Sequence, residues 1–410
     1  MKTRVGIEKA RVYPTSLALD MNKLCAARAH DPADIRDVMM IDERAVNPPW
    51  EDPVTMAVNG ANPMLSEDDR KNIDLLIVAS ESGVDQEKPL STWVHRYLGL
   101  SPRCRNIEAK HACYGGTCGL QLAAAYLSSP SAGPNSKALV VTSDQSRTHF
   151  GKPWEFVMGA GSVSLLVSRE PNLLEIELGK SGIYTNEVSD LTRPTSRVET
   201  GNSETSLLSY LDALENAVAD YLARVGEPIT YDYFKKNIYH IPFGGMTLRA
   251  SRTALKQFGS FTKKQSDAIW DEKTKPSLRF ARRMGGTYAA STFVALLSLV
   301  EHCEELRAGD RIGMFSYGSG SCAEFWSGLL GPAAKEVAQA AGLKALLDQR
   351  KQISVREYED CERERVAYID NGDYEPSTDG LGGWYDDHYR GKGYLVFRGC
   401  QEHYRQYAWS

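Results

Sequence analysis

The chain has 410 residues, 42% hydrophobic and 25% charged, with a net charge of −5. That composition fits a globular protein with one large core or two fused halves, and excludes collagenous, low-complexity and disulfide-stapled chains. It supplies no general basic field for nucleic acid, and its longest strongly apolar stretch, Ser291–Val300, is too short to span a bilayer.

From the N-terminus, MKTRVGIEKARVYP has no apolar signal core behind its basic residues. The eight cysteines are scattered without a CxxC pair and read as reduced thiols, so a cytoplasmic protein is expected. His111 and Cys113 are two apart, but no second ligand pair answers them, and no metal site is expected. The apolar runs at 73–80, 138–144, 161–168, 237–243 and 310–317 predict strands, several buried on both faces. Between them, 118–127, 205–224 and 288–303 predict helices; Leu120, Ala124 and Leu127 share one helix side. Strands alternating with helices predict a layered α/β fold. Gly-Ala-Gly at 159–161 and Gly-Ser-Gly at 318–320 each adjoin an apolar strand, which hints at two related halves without a linker between them. The last fifty residues, rich in Tyr, Arg, Glu and Asp, predict an irregular surface extension that ends in a strand at 393–399.

Four places carry residue types suited to catalysis. In EAKHACYGGTCGLQLAAAYL (108–127), Cys113 precedes two glycines and then a helix, whose positive end favours a thiolate. Gly115 and Gly116 would let a ligand approach the backbone. Cys113 is therefore either a nucleophile or a buried structural cysteine. Glu81, in VASESGVD (78–85), closes a buried strand, where a carboxyl can serve as acid and base; a solvated glutamate is the other reading. His240, in YHIPFGG (239–245), is a catalytic imidazole or a satisfied core histidine. YGSGS (317–321) offers backbone N–H groups for an oxyanion, or is a plain tight turn.

Together, SESGVD, HACYGGT, HIPF, the GAG turn and YGSGSCAEF resemble the 3-hydroxy-3-methylglutaryl-CoA synthase family of the thiolase superfamily. They occur in family order over residues 3 to 330. The resemblance implies a duplicated five-layer αβαβα α/β fold, with a nucleophile-bearing half at 1–170 and, at 171–410, a second half with insertions and a Tyr-rich extension. It implies a homodimer in which Cys113 takes the acetyl group and Glu81 removes a methyl proton and later returns one. His240 would polarise the β-keto acceptor, and the backbone N–H groups of Cys113 and Ser319 would hold the thioester oxygen. DLTRPT (190–195), ETGNSETSLLSYLDALE (199–215) and GKGYLVFRG (391–399) look most like the polyketide-associated branch. That branch builds a β-branch on acyl chains carried by donor and acceptor acyl carrier proteins. The implied chemistry needs no metal or redox cofactor, because the thioester acidifies the methyl; the substrates ride on phosphopantetheine, or on CoA. One departure stands out: the family's Gly-Asn is Gly285-Gly286 here, and no catalytic role transfers to Gly286.

Charge gives a separate argument about the partner. Residues 249–283 hold ten Lys/Arg against three acidic residues, a balance of +7. Arg249, Arg252 and Lys256 would share a helix face near His240, a basic rim suited to an acidic carrier protein or a CoA phosphate. The alternatives to a carrier-dependent enzyme are the same chemistry on acetyl-CoA and acetoacetyl-CoA, a non-catalytic carrier-docking subunit, and a cysteine hydrolase.

Overall fold

The structure is a computed structural model that describes residues 4–147, 149–226 and 228–410. Its framework is a nine-stranded sheet: β1 (Gly6–Tyr13), β2 (Ile73–Ala79), β3 (Arg105–Ala109), β4 (Lys137–Gln145), β5 (Ala160–Ser168), β6 (Leu174–Thr185), β7 (Lys236–Tyr239), β8 (Arg311–Gly318) and β9 (Cys322–Leu330). The spatial order is β7-β8-β9-β6-β1-β5-β4-β2-β3. The centre is a narrow junction, where β1 meets β6 only through Gly6↔Glu175 and Ile7↔Leu174.

Outward from this junction the two sides repeat each other. β1 pairs antiparallel with β5, β5 antiparallel with β4, and β4 parallel with β2. On the other side β6 pairs antiparallel with β9, β9 antiparallel with β8, and β8 parallel with β7. The GAG turn leads into β5 and the GSG turn into β9, the equivalent strand of the other side.

Helices Gly115–Ser128 and Ser291–His302 lie between the two half-sheets. Leu120, Ala124, Phe293 and Leu296 share one core with Val140 and Val163 from the first half and with Ile312 and Met314 from the second. Helices Pro53–Ala61 and Leu90–Tyr97 cover the outer face of the first half, and Ser203–Val225 with Gly244–Leu255 covers the second, giving five layers. Gly116 has a packing reason: a Cβ there would lie 2.7 Å from the Ala289 carbonyl oxygen and 2.9 Å from the Phe293 ring. The glycine lets the two central helices approach each other and does not open a ligand path.

The C-terminal extension departs from the sequence expectation. It contains helix Val355–Tyr368, helix Trp384–His388 and a hairpin of Leu395–Gln401 with Tyr404–Trp409. Tyr385, Tyr389, Leu395, Val396 and Phe397 are buried, and Trp50 packs edge-on to Tyr385 and Tyr389. These tyrosines are interior because their polar tips are satisfied there: Tyr389 O–H lies 2.6 Å from Glu51 Oε1. Among the described residues, no helix is long and apolar enough to cross a membrane.

Candidate active site

The C-terminal ends of β2, β7 and β8, and the turn before helix Gly115–Ser128, open onto one cavity of about 1220 Å³. Cys113, Glu81, His240, Ser319 and Arg249 line it; Arg252 and Lys256 are not among its lining residues.

Cys113 sits one residue before the N-cap of helix Gly115–Ser128 and follows Ala112, which takes a left-handed φ of 42°. That bend aims the thiol at Glu81, with Sγ 3.6 Å from Oε2. Burial, then the carboxylates of Glu81 and Asp144, push the thiol pKa well above its usual range. The helix-dipole argument pointed the other way. The thiol is thus kept protonated beside the Glu81 carboxyl.

Glu81 follows β2, and its turn is held by Asp144 at the end of β4. Asp144 Oδ1 accepts the Glu81 N–H at 2.9 Å, Ser82 Oγ at 3.0 Å and Ser80 Oγ at 3.1 Å. Burial and the Asp144 charge raise the Glu81 pKa, while Arg193 opposes them. A carboxyl raised in this way can both take and return a proton near neutral pH.

His240 ends β7 and is fixed on three sides. Its N–H donates to the Phe315 carbonyl at 2.8 Å, its carbonyl accepts Tyr210 O–H at 2.8 Å, and Nδ1 lies 2.7 Å from Ser291 Oγ. Ser291 Oγ also accepts the Ile241 N–H at 3.3 Å; when its own proton goes to Nδ1, the ring presents Nε2–H to the cavity. Burial lowers the imidazole pKa to about 3, so the ring is neutral at physiological pH.

The YGSGS turn packs directly on the Cys113 turn. A Cβ at Gly318 would lie 2.5 Å from the His111 carbonyl oxygen and 2.8 Å from Tyr114 N. Buried Asp190 anchors it, accepting Tyr317 O–H at 2.8 Å and Gly320 N–H at 3.0 Å.

The basic rim is sparser than its residue count. Arg249 and Lys256 form no ion pair among the described residues, whereas Arg252 pairs with Asp267 through Nη2 at 2.5 Å. Lys273, Lys275, Arg282 and Arg283 are likewise paired, with Asp232, Asp271, Asp42, and Glu43 with Asp348. The pairs with Asp267 and Asp271 lie inside the segment and are already counted in the +7; acids from elsewhere in the fold reach Lys273, Arg282 and Arg283. Sequence reasoning missed Asp144, Asp190, Arg193, Glu199 and Ser291. Asp144 alone carried a usable signal, since like Glu81 it closes a buried strand.

Fold and site together define a thiolase-like α/β acyltransferase. Comparison with known proteins narrows the class. The family model for the hydroxymethylglutaryl-coenzyme A synthase C terminal matches residues 251–408. The polyketide biosynthesis 3-hydroxy-3-methylglutaryl-ACP synthase PksG of Bacillus subtilis is 39% identical over 367 residues, covering 86% of this chain and 87% of that protein. Hydroxymethylglutaryl-CoA synthase of Enterococcus faecalis is 33% identical over 356 residues, covering 87% and 90%. The crystal structure of the curacin biosynthetic pathway HMG synthase with holo donor-ACP superposes with a TM-score of 0.93 at 37% identity, covering 99% of this chain and 100% of that one. The chain belongs to the hydroxymethylglutaryl-CoA synthase family.

Proposed function

We propose that this enzyme adds an acetyl-derived carbon nucleophile to the β-ketone of a β-ketoacyl thioester on a carrier protein, the condensation of polyketide β-branching. The observation that carries the reading is the meeting of a thiol and a carboxyl 3.6 Å apart with a neutral imidazole and a glycine-flanked turn in one cavity. The likeness to an ACP synthase and to a synthase crystallised with donor-ACP supports the carrier-bound form.

Cys113 attacks the donor thioester as its proton passes to Glu81 and then to the departing thiol, leaving acetyl on Sγ. Ionised Glu81 removes a proton from the acetyl methyl, and the backbone N–H groups of Cys113 and Ser319 hold the enolate oxygen. The carbanion attacks the ketone, polarised by His240 Nε2–H, and Glu81 returns its proton to the new alkoxide. Water then hydrolyses the thioester, giving a carboxylate and restoring the Cys113 thiol. Glu81→Gln tests this order: acetyl should still form on Cys113, more slowly because the proton relay to the departing thiol is lost, and then persist there while condensation stops. Continued condensation would remove Glu81 from its role.

Arg249 at the cavity lining, with Lys256 two turns further along at the helix C-cap, forms the cationic rim for an acidic donor or acceptor carrier, and Arg252 adds less because it is paired with Asp267. The reading includes a homodimer. It is supported by β3, an edge strand whose Ile107 is 43% exposed, and by Leu122 nearby at 49%. It also assigns residues 1–170 and 171–410 to two thiolase-like halves, supported by the repeated strand order on either side of β1 and β6.

A further inference from the structure

Between β6 and helix Ser203–Val225 the chain doubles back over Glu81 as a narrow strap, with Leu191–Thr192 antiparallel to Thr200–Gly201. Its base is closed by Asn202 N–H donating to the Asp190 carbonyl at 2.9 Å, and Asp190 is itself tied to the YGSGS turn. Arg193 and Glu199 flank the strap's tip and pair across it at 3.1 Å, their side chains only 15% and 9% exposed. Glu199 Oε2 also meets His149 Nε2 at 3.0 Å. From this seat Arg193 Nη1 donates to the backbone carbonyl of Glu81. The Glu81 backbone is therefore gripped on both sides: an aspartate accepts from its N–H and an arginine donates to its carbonyl.

We propose that Arg193, seated by Glu199 and His149, is a positioning residue for Glu81, fixing the backbone from which the carboxyl reaches Cys113 and supplying the positive charge that lets the carboxyl ionise. The inference rests on Glu81 acting as the base. The groups facing Glu81 are Asp144 from β4, Cys113 from the helix-entry turn, Arg193 and Glu199 from the strap, and Tyr288 from the second half. Of these, only Arg193 is cationic; Arg147 lines the same cavity and bears on Arg193, Glu199 and Tyr288. Burial, Asp144 and Glu199 disfavour the Glu81 carboxylate, and Arg193 favours it.

The signs are therefore opposite for the two strap residues. Proton abstraction needs ionised Glu81, so its rate rises with pH through the Glu81 pKa. Losing the Arg193 charge raises that pKa and moves the acid limb to higher pH. Losing the Glu199 charge lowers it and moves the limb to lower pH.

The experiment is solvent deuterium exchange into the methyl of acetyl loaded on the full-length enzyme, followed against pH. Arg193→Met should move the acid limb up by about one unit, a tenfold rate loss on that limb, and Arg193→Lys should recover most of the shift. Glu199→Gln should move it down. Limbs that move in the same direction, or a uniform loss at every pH, would overturn the inference. If Arg193→Met does not fold, Arg193→Lys and Glu199→Gln carry the comparison, and unmoved limbs in both would overturn it. Glu81→Gln separates the two levels: exchange persisting there removes the base itself, whereas exchange abolished there with unmoved limbs in the strap variants removes only the role of Arg193.

Discussion

Position 286 offers a test in which stability and catalysis should part. The Gly286 N–H donates to the Val157 carbonyl at 2.7 Å, seating the residue against the cavity wall beside Pro242. A Cβ added there would stand 2.8 Å from the Pro242 oxygen and 3.0 Å from the Val157 oxygen. Both are backbone atoms, and the gap is roughly half an ångström short of ordinary contact. Overpacking of this kind costs about 1–3 kcal/mol. With an unfolding entropy of about 2.1 cal/mol/K per residue, a cooperative chain of this length should lose only about 1–3 °C in Tm. The catalytic loss should be larger, because Pro242 lies two residues beyond His240 and its displacement moves the imidazole. Gly286→Ala should therefore lower condensation about tenfold while acetylation of Cys113 persists, and Gly286→Asn should do worse. Calorimetry with separate acetyl-loading and condensation assays would check this. A Gly286→Asn variant as stable as the parent, and condensing faster, would refute the reasoning and show that the wall yields to the family's asparagine.

Two further outcomes are expected. Arg249→Ala with Lys256→Ala should slow acetylation by a donor carrier protein most at low salt, and acetylation by acetyl-pantetheine less; adding Arg252→Ala should slow the carrier reaction further, since it leaves the Asp267 carboxylate uncompensated. Buried Glu51, accepting from Tyr13 and Tyr389, has its pKa raised to about 7, chiefly by burial. Its contribution is present below the unfolded value of 4.5 and lost as pH rises through about 7, so Glu51→Gln should flatten the fall in stability over that window by about 3 kcal/mol. Equal pH dependence of denaturant midpoints in parent and variant would count against it.

Five strands were legible in the sequence: β2, β4 and β5, whose runs IDLLIVA, KALVVTSDQ and AGSVSLLVS leave little room for another reading, and β7 and β8, found within or beside the predicted runs 237–243 and 310–317. β1 was not legible, because Lys9 and Arg11 interrupt GIEKARVY; the Lys9 amine finds Asp69 at 2.6 Å. β6, LEIELGKSGIYT, hides its pairing role behind alternating polar residues in the same way. Cys113, Glu81, His240 and Ser319 were legible as reactive or small residues at strand ends and turns. Arg193 was not, since it meets Glu81 across 112 residues of chain and leaves no local pattern; Asp144 showed only as a carboxylate closing a buried strand, with nothing local to tie it to Glu81, 63 residues away. Charge counting found the basic segment but not its partners, because the sequence does not show that Asp42, Glu43 and Asp348 fold against Arg282 and Arg283.

The central claim is that Cys113 carries the acetyl group and receives it from a carrier protein. The direct measurement is a timed incubation with acetyl-loaded carrier protein or with acetyl-CoA, followed by peptide mass mapping. Acetyl should appear on the peptide containing Cys113, form faster from the carrier and be absent in Cys113→Ala. Acetyl on Cys118 or Cys104, or faster loading from acetyl-CoA, would contradict it.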